Sequence, residues 1–185
     1  NISDFLRWTE ELAHNWSDEA PIALRAGGLG TRDLKRTAEH LGIDENCTAF
    51  VAELLYLAGL IVIDADDSIL PTSAFDVWLT RSHEERWHNL VTLWFETSRV
   101  AGLIGKAEQK TIAPLGPEID RPGISSLRKK TISTLSNNLE IDPAPESIAE
   151  VIKWLSPQRF NQDYLIWILR EAEWLGITGQ GAIST

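Results

Sequence analysis

The sequence predicts a mainly α fold with small β hairpins, arranged as two winged-helix-like units joined by a helical segment and a Pro/Gly linker. Three observations carry that expectation. Apolar residues recur every three to four positions through most of the chain, the period of a helix with one buried face. Twice, in LYLAGLIVIDADDSILPT and REAEWLGITGQGAIST, an apolar helix end meets a glycine, a β-branched run, a polar turn and a second short strand. Between these repeats, residues Ala101 to Gly123 hold three prolines and four glycines without apolar periodicity, the pattern of a linker. The first unit is placed at residues 1–80, the helix and linker at 81–122, and the second unit at 123–185.

Taken in order, Ser3 is positioned to cap a helix reaching Trp16, with Phe5, Trp8, Leu12 and Trp16 on one face. IALRA reads as a short strand or extended link. Thr31 caps a second helix that buries Leu34, Ala38 and Leu41 and stops at Gly42. After the turn IDEN, a third helix from about Cys47 to Ala58 buries Phe50, Val51, Leu54, Leu55 and Ala58 and ends at Gly59. LIVID and ILPTS then pair across the turn ADDS. Helix, strand, helix, turn, helix and hairpin is the order of a winged helix-turn-helix.

The middle of the chain is helical. SAFDVWLTRS is a short helix, and HEERWHNLVTLWFETSRV a longer one with Trp87, Leu90, Val91, Trp94, Phe95 and Ser98 on one stripe. The C-terminal part repeats the plan. SSLRKKTISTLSNN, PESIAEVIKWLSP and NQDYLIWILREAEWLGI are helices, the last with Tyr164, Leu165, Ile168, Ala172 and Leu175 inward. TGQGAIST supplies the second hairpin. A chain that opens on Asn1 and closes in a strand-like run reads as a piece of a longer protein, its second unit truncated.

Composition narrows the class. Of 185 residues, 43% are hydrophobic and 24% charged, as in ordinary globular domains. No apolar run approaches the roughly 18–20 residues of a membrane span, and no secretory signal pattern opens the chain. Cys47 is the only cysteine, so no internal disulfide forms, and a reducing, cytoplasmic setting is expected. The net charge of −10 is uneven: residues 1–80 carry 5 basic against 14 acidic side chains, and residues 121–185 carry 7 of each. Such polarity implies two surfaces of different character.

The candidate chemistry begins with LRAGGLGTRDLKRTAEHLG, Leu24 to Gly42, where glycines run into a helix. A Walker loop needs a lysine after its last glycine, and Gly30 is followed by Thr31 and Arg32. A dinucleotide fingerprint needs glycine where Asp33 stands. The glycines are therefore read as a bend that needs positive φ and close packing. His83 and His88 flank Glu84 and Glu85, but five residues turn the second histidine about 140° from the first, so no zinc helix is expected. Cys47 lies near a helix start, yet no base accompanies it, and it reads as a buried structural thiol. Trp87 and Trp94 read as core, as do Trp154, Trp167 and Trp174. No catalytic residue, metal site, cofactor or small-molecule ligand is predicted.

Nucleic acid is the remaining candidate. The third helix, which should enter the major groove, offers Asp44, Glu45, Asn46, Thr48 and Glu53 and no cation, so the counterion-release contribution is missing there. Cations lie instead on the second helix (Arg32, Lys35, Arg36) and in the second unit (Arg128, Lys129, Lys130). Three consecutive residues span about 200° of a helix and cannot face one phosphate row.

LRAGGLGTRDLKRTAEHLG, LPTSAFDVWL, ERWHNLVTLW and EAEWLGITGQGAIS together resemble the helicase-associated domain. That family is similar to the N-terminal domain of XPB-type DNA helicases and also occurs in large actinobacterial proteins. The resemblance runs from Leu24 to the end of the chain. It implies a non-catalytic accessory domain in a helicase-linked setting, positioning DNA or a partner protein such as the helicase itself. On that reading the six cations named above would make phosphate contacts only. The alternative expectation is a winged-helix module for protein–protein interaction without nucleic acid.

Overall fold

Asn1, rather than Ser3, starts the first helix. In this computed structural model, which describes residues 1–105, 112–137, 162–179 and 182–183, Asn1 and Asp4 form a reciprocal capping box over α1 (Ile2–Asp18). Ser3 already lies in the first turn. α1 buries Phe5, Leu12 and Trp16 as its spacing predicts, and Leu6 and Ala13 beside them. Thr31 is likewise not a cap but the first residue of α2 (Thr31–Leu41). Gly30 precedes it without a side-chain bond, and Gly42 closes the helix at φ 67°. Asp44 caps α3 (Glu45–Leu57) by accepting from the backbone of Asn46 and Cys47.

β1 (Ile61–Ile63) pairs antiparallel with β2 (Ile69–Pro71), with Val62 opposite Leu70. The IALRA segment contributes one bridge rather than a strand. Ile22 bridges Ser68, flanked by bonds from Ala23 N to the Asp67 carbonyl and from Ile69 N to the Pro21 carbonyl. α4 (Ser73–Leu79) and α5 (His83–Glu96) follow, the latter opened by a Ser82–Glu85 capping box. α6 (Ile124–Asn137), α7 (Gln162–Trp174) and an antiparallel pair of short strands, β3 (Thr178–Gly179) and β4 (Ala182–Ile183), complete the described chain. The helix expected over PESIAEVIKWLSP lies outside the described residues. The protein is thus mainly helical, with small antiparallel hairpins. None of the described helices is long and apolar enough to cross a membrane.

α3 is the hub. Every residue from Cys47 to Leu55 is buried, and α3 packs against α1, α2, α5, α7, β1 and the 3-10 turn at Ala101–Leu103. A helix apolar on all sides is a core helix. The expectation that Thr48 and Glu53 lie on an outward reading face is therefore corrected: they are 0% and 2% exposed.

The segment expected to be a linker is also packed, where it is described. Val100, Ala101, Ile104, Ile112, Leu115 and Ile119 are buried in the same cluster as Phe5, Leu55, Ile124 and Leu175. An irregular segment buries side chains without any period, provided its backbone groups find partners. Here Val100 N donates to the Ile119 carbonyl, Gly105 N to Ile112 and Arg121 N to Ser98. Gly102 lies against the Trp167 indole: a Cβ at that position would sit 2.2 Å from the ring. Gly102→Ala is expected to cost about 1–3 kcal/mol through overpacking, measured by urea unfolding. Adding Trp167→Leu should restore part of the loss, because the two changes share one contact.

Candidate functional site

The glycine bend is a docking point between two loops. Gly28 has φ 91°, and a Cβ there would lie 2.5 Å from the Pro114 carbonyl oxygen and 2.9 Å from Gly116 N. Leu29 N donates to that Pro114 carbonyl at 2.7 Å, Leu24 N to Gly28 and Gly27 N to Leu24. A phosphate cradle presents free N–H groups to an anion. In this bend the N–H groups of Leu24, Gly27 and Leu29 are engaged within the fold.

Of the six cations proposed to meet phosphate, Arg128 is withdrawn. It lies on the α6 stripe with Ile124, Thr131 and Leu135 and is 1% exposed. Its Nη1 donates to the Thr97 carbonyl at 2.7 Å. Its Nη2 donates to the Arg99 carbonyl at 2.8 Å and to Glu171 Oε2 at 3.2 Å. The same carboxylate oxygen accepts from Trp94 Nε1 at 2.7 Å, and the guanidinium lies over the Trp94 ring. A guanidinium enclosed in this way, at 1% exposure, cannot present its donors to a ligand outside the fold.

The other five stay at or near the surface. Arg36 pairs with Glu19 at 3.2 Å and with Asp33 at 3.1 Å, and Lys35 approaches Glu39 at 4.0 Å. Arg32 and Lys129 are exposed, and Lys130 is half-buried. Beside Lys35, a groove of about 650 Å3 runs between α2, the start of α3 and the residues Ile104, Gly105, Ile112 and Pro114. Leu34, Ala38 and Ile43 line it, and among the described residues Glu39, Asp44 and Glu45 stand against the single lining cation Lys35. Such a rim repels anions. Among the described residues, the structure thus brings no cationic face together around α2.

A second buried pair meets the first at the Thr97–Arg99 turn. Arg99 Nε donates to Glu53 Oε2 at 2.6 Å and its Nη2 to the Gly116 carbonyl at 2.8 Å, while Leu115 N donates to Glu53 Oε1. Leu115 sits at φ 61°, and the Glu53 carboxylate anchors that turn. Burial pushes the Glu53 and Glu171 carboxyls above their ordinary range, against the opposing pull of Arg99 and Arg128 respectively. Burial lowers the Arg99 guanidinium, but its bond to Glu53 more than reverses this. This network ties α3, α6, α7 and the loop at 112–120 into one body. Glu53, Arg128 and Glu171 are enclosed by core, and Arg99 reaches from them toward the exposed Asp120, so the network acts as a scaffold for these elements.

Remaining reactive side chains offer little chemistry. Burial, with Asp44 adding to it, pushes the Cys47 thiol up to about 12, so the helix N-terminus does not activate it. His83 and His88 are exposed, and no group of three metal-binding side chains stands together among the described residues. Trp94 is fully buried, while the half-buried Trp87 donates to the Leu175 carbonyl at 2.7 Å. Trp167 is buried and Trp174 packs against the core; Trp154 lies outside the described residues.

Around the β1–β2 hairpin, an apolar and acidic patch faces outward. Ile22, Leu24 and Val62 are 56%, 46% and 43% exposed. Beside them, Asp66 and Asp67 are exposed at the hairpin turn, which Asp64 Oδ1 holds by accepting from Asp66 N and Ser68 N. The sequence reading did not single out these residues as a surface. In comparisons with known proteins, the chain matches no family model, no curated protein and no solved structure.

Proposed function

We propose that this chain is a non-catalytic module of winged-helix-like plan that docks a partner protein and does not read DNA. The observation that carries the proposal is the burial of α3 from Cys47 to Leu55, in the place a winged helix reserves for its recognition helix. The helix order, with Ile22 bridged to the β1–β2 hairpin, supports the winged-helix-like plan. At the hairpin tip, where a DNA-binding wing needs cations, stand Asp64, Asp66 and Asp67. Arg128 is engaged in the core, and Arg36 is paired on the surface. In the helicase-linked setting implied by the resemblance, the partner would be the motor or another protein of its cytoplasmic assembly.

Titrating the protein with duplex and single-stranded DNA tests this, using tryptophan fluorescence at several salt concentrations. The expected result is no saturable binding even at low salt. An affinity that falls with salt by a slope of about 0.9 per duplex phosphate, and is lost in Arg32→Ala with Lys129→Ala, would replace this proposal with a phosphate-contact role.

A further inference from the structure

Resting on the protein-docking reading, we infer that the outer face of the sheet formed by Pro21–Ala23, β2 and β1 is the docking surface, and that it takes a basic segment carrying apolar anchors. Val62 and Leu70 stand opposite each other in the register, so their side chains share a face. Ser68 lies two residues from Leu70 on the same face, and Ile22 bridges Ser68. Ile22, Leu70 and Val62 thus make one outward apolar band, while Ile61 and Ile69 point into the core at 2% and 0% exposure. A single exposed aliphatic residue is ordinary. A band across a sheet whose other face is core is an unpartnered surface.

Charge selects the occupant. From Gly59 to Thr80 the chain carries Asp64, Asp66, Asp67 and Asp76 and no lysine or arginine. Asp18 and Glu19 add two more carboxylates just before Pro21. Arg25 stands against them, and Arg36 is paired to Glu19 and Asp33. The field over the band is negative, which repels nucleic acid and acidic peptides and attracts lysine and arginine. Apolar anchors between those cations would cover the aliphatic band, with the carboxylates as the polar rim.

The probe is a short synthetic peptide of alternating lysine and leucine, added to isotopically labelled protein and followed by amide chemical shifts. Two control peptides replace lysine by glutamate or leucine by serine. The lysine–leucine peptide is expected to shift Ile22, Val62, Ser68 and Leu70, and the controls to leave them unmoved. Asp66→Lys with Asp67→Asn should weaken binding about tenfold; asparagine suits position 67, where φ is 61°. Ile22→Thr with Val62→Thr keeps residues that favour strands, and should abolish the shifts with the melting temperature unchanged.

A lysine–leucine peptide that moves none of these residues, or that binds all variants equally, overturns the inference. A footprint confined to another face, such as α2, overturns it too while leaving the docking reading in place. Saturable DNA binding in the salt titration would overturn the docking reading itself.

Discussion

Glu171→Ala will destabilise the protein by about 3–5 kcal/mol, the usual consequence of leaving a buried charge without its partner. Both side chains of the Arg128–Glu171 pair are 1% exposed. Removing the carboxylate strips Arg128 of its counter-charge and Trp94 Nε1 of its acceptor. Adding Arg128→Met should recover much of the loss, because apolar replacements of a whole buried pair are often tolerated. Urea unfolding of the single and double variants measures both. The pH dependence has a defined sign. Burial holds the Glu171 carboxyl above its ordinary value of 4.5, with Arg128 pulling the other way. A carboxyl that keeps its proton longer in the fold contributes stability below the ordinary value, and that contribution is lost as pH rises through the folded value. Unfolding free energy should therefore fall over that window, and Glu171→Gln should remove the part of the slope due to this group.

Gly28→Ala will cost about 3 kcal/mol, combining a left-handed backbone with overpacking. At φ 91° an alanine is strained, and its Cβ would meet backbone atoms of Pro114 and Gly116 rather than a side chain able to turn aside. The contrast is Gly42→Ala: φ is 67° there, but nothing lies within 4 Å of the added methyl. Only the conformational part of the cost, about 1–2 kcal/mol, applies at that position. Thermal unfolding of the two variants separates strain from clash.

The helices were legible because their apolar period is strong. The α7 stripe buries Leu165, Ile168, Ala172 and Leu175, and the α5 stripe buries Leu90, Val91 and Trp94 while Trp87 and Phe95 stay half-buried. Cap positions were less so. Asn1 and Gly30 displaced Ser3 and Thr31 because capping depends on where the backbone leaves the helix, which neighbouring residues of similar propensity leave open. The linker expectation failed for a different reason. Val100 to Ile119 carries no period, yet in its described residues, 100–105 and 112–119, pairing of backbone groups lets apolar side chains join the core. Arg128 was misread as surface, although Ile124, Arg128, Thr131 and Leu135 keep the helical stripe and could have marked it as inward. Glu171, three residues after Ile168 and beside Ala172, carried the same signal. The apolar band was less accessible still: Ile22 meets Ser68 across a long stretch of sequence, and a single bridge leaves no local pattern. Glu53 points the same way, since its partners Arg99 and Leu115 lie far along the chain.

The account rests on α3 as the buried strut of one cooperative body, and native-state hydrogen exchange tests this most directly. Amides of Phe50 to Leu55 should be among the slowest in the chain and open with the same free energy as Ile168 to Ala172, through global unfolding. An α3 whose amides exchange through a low-energy local opening, or that opens independently of α7, would contradict it.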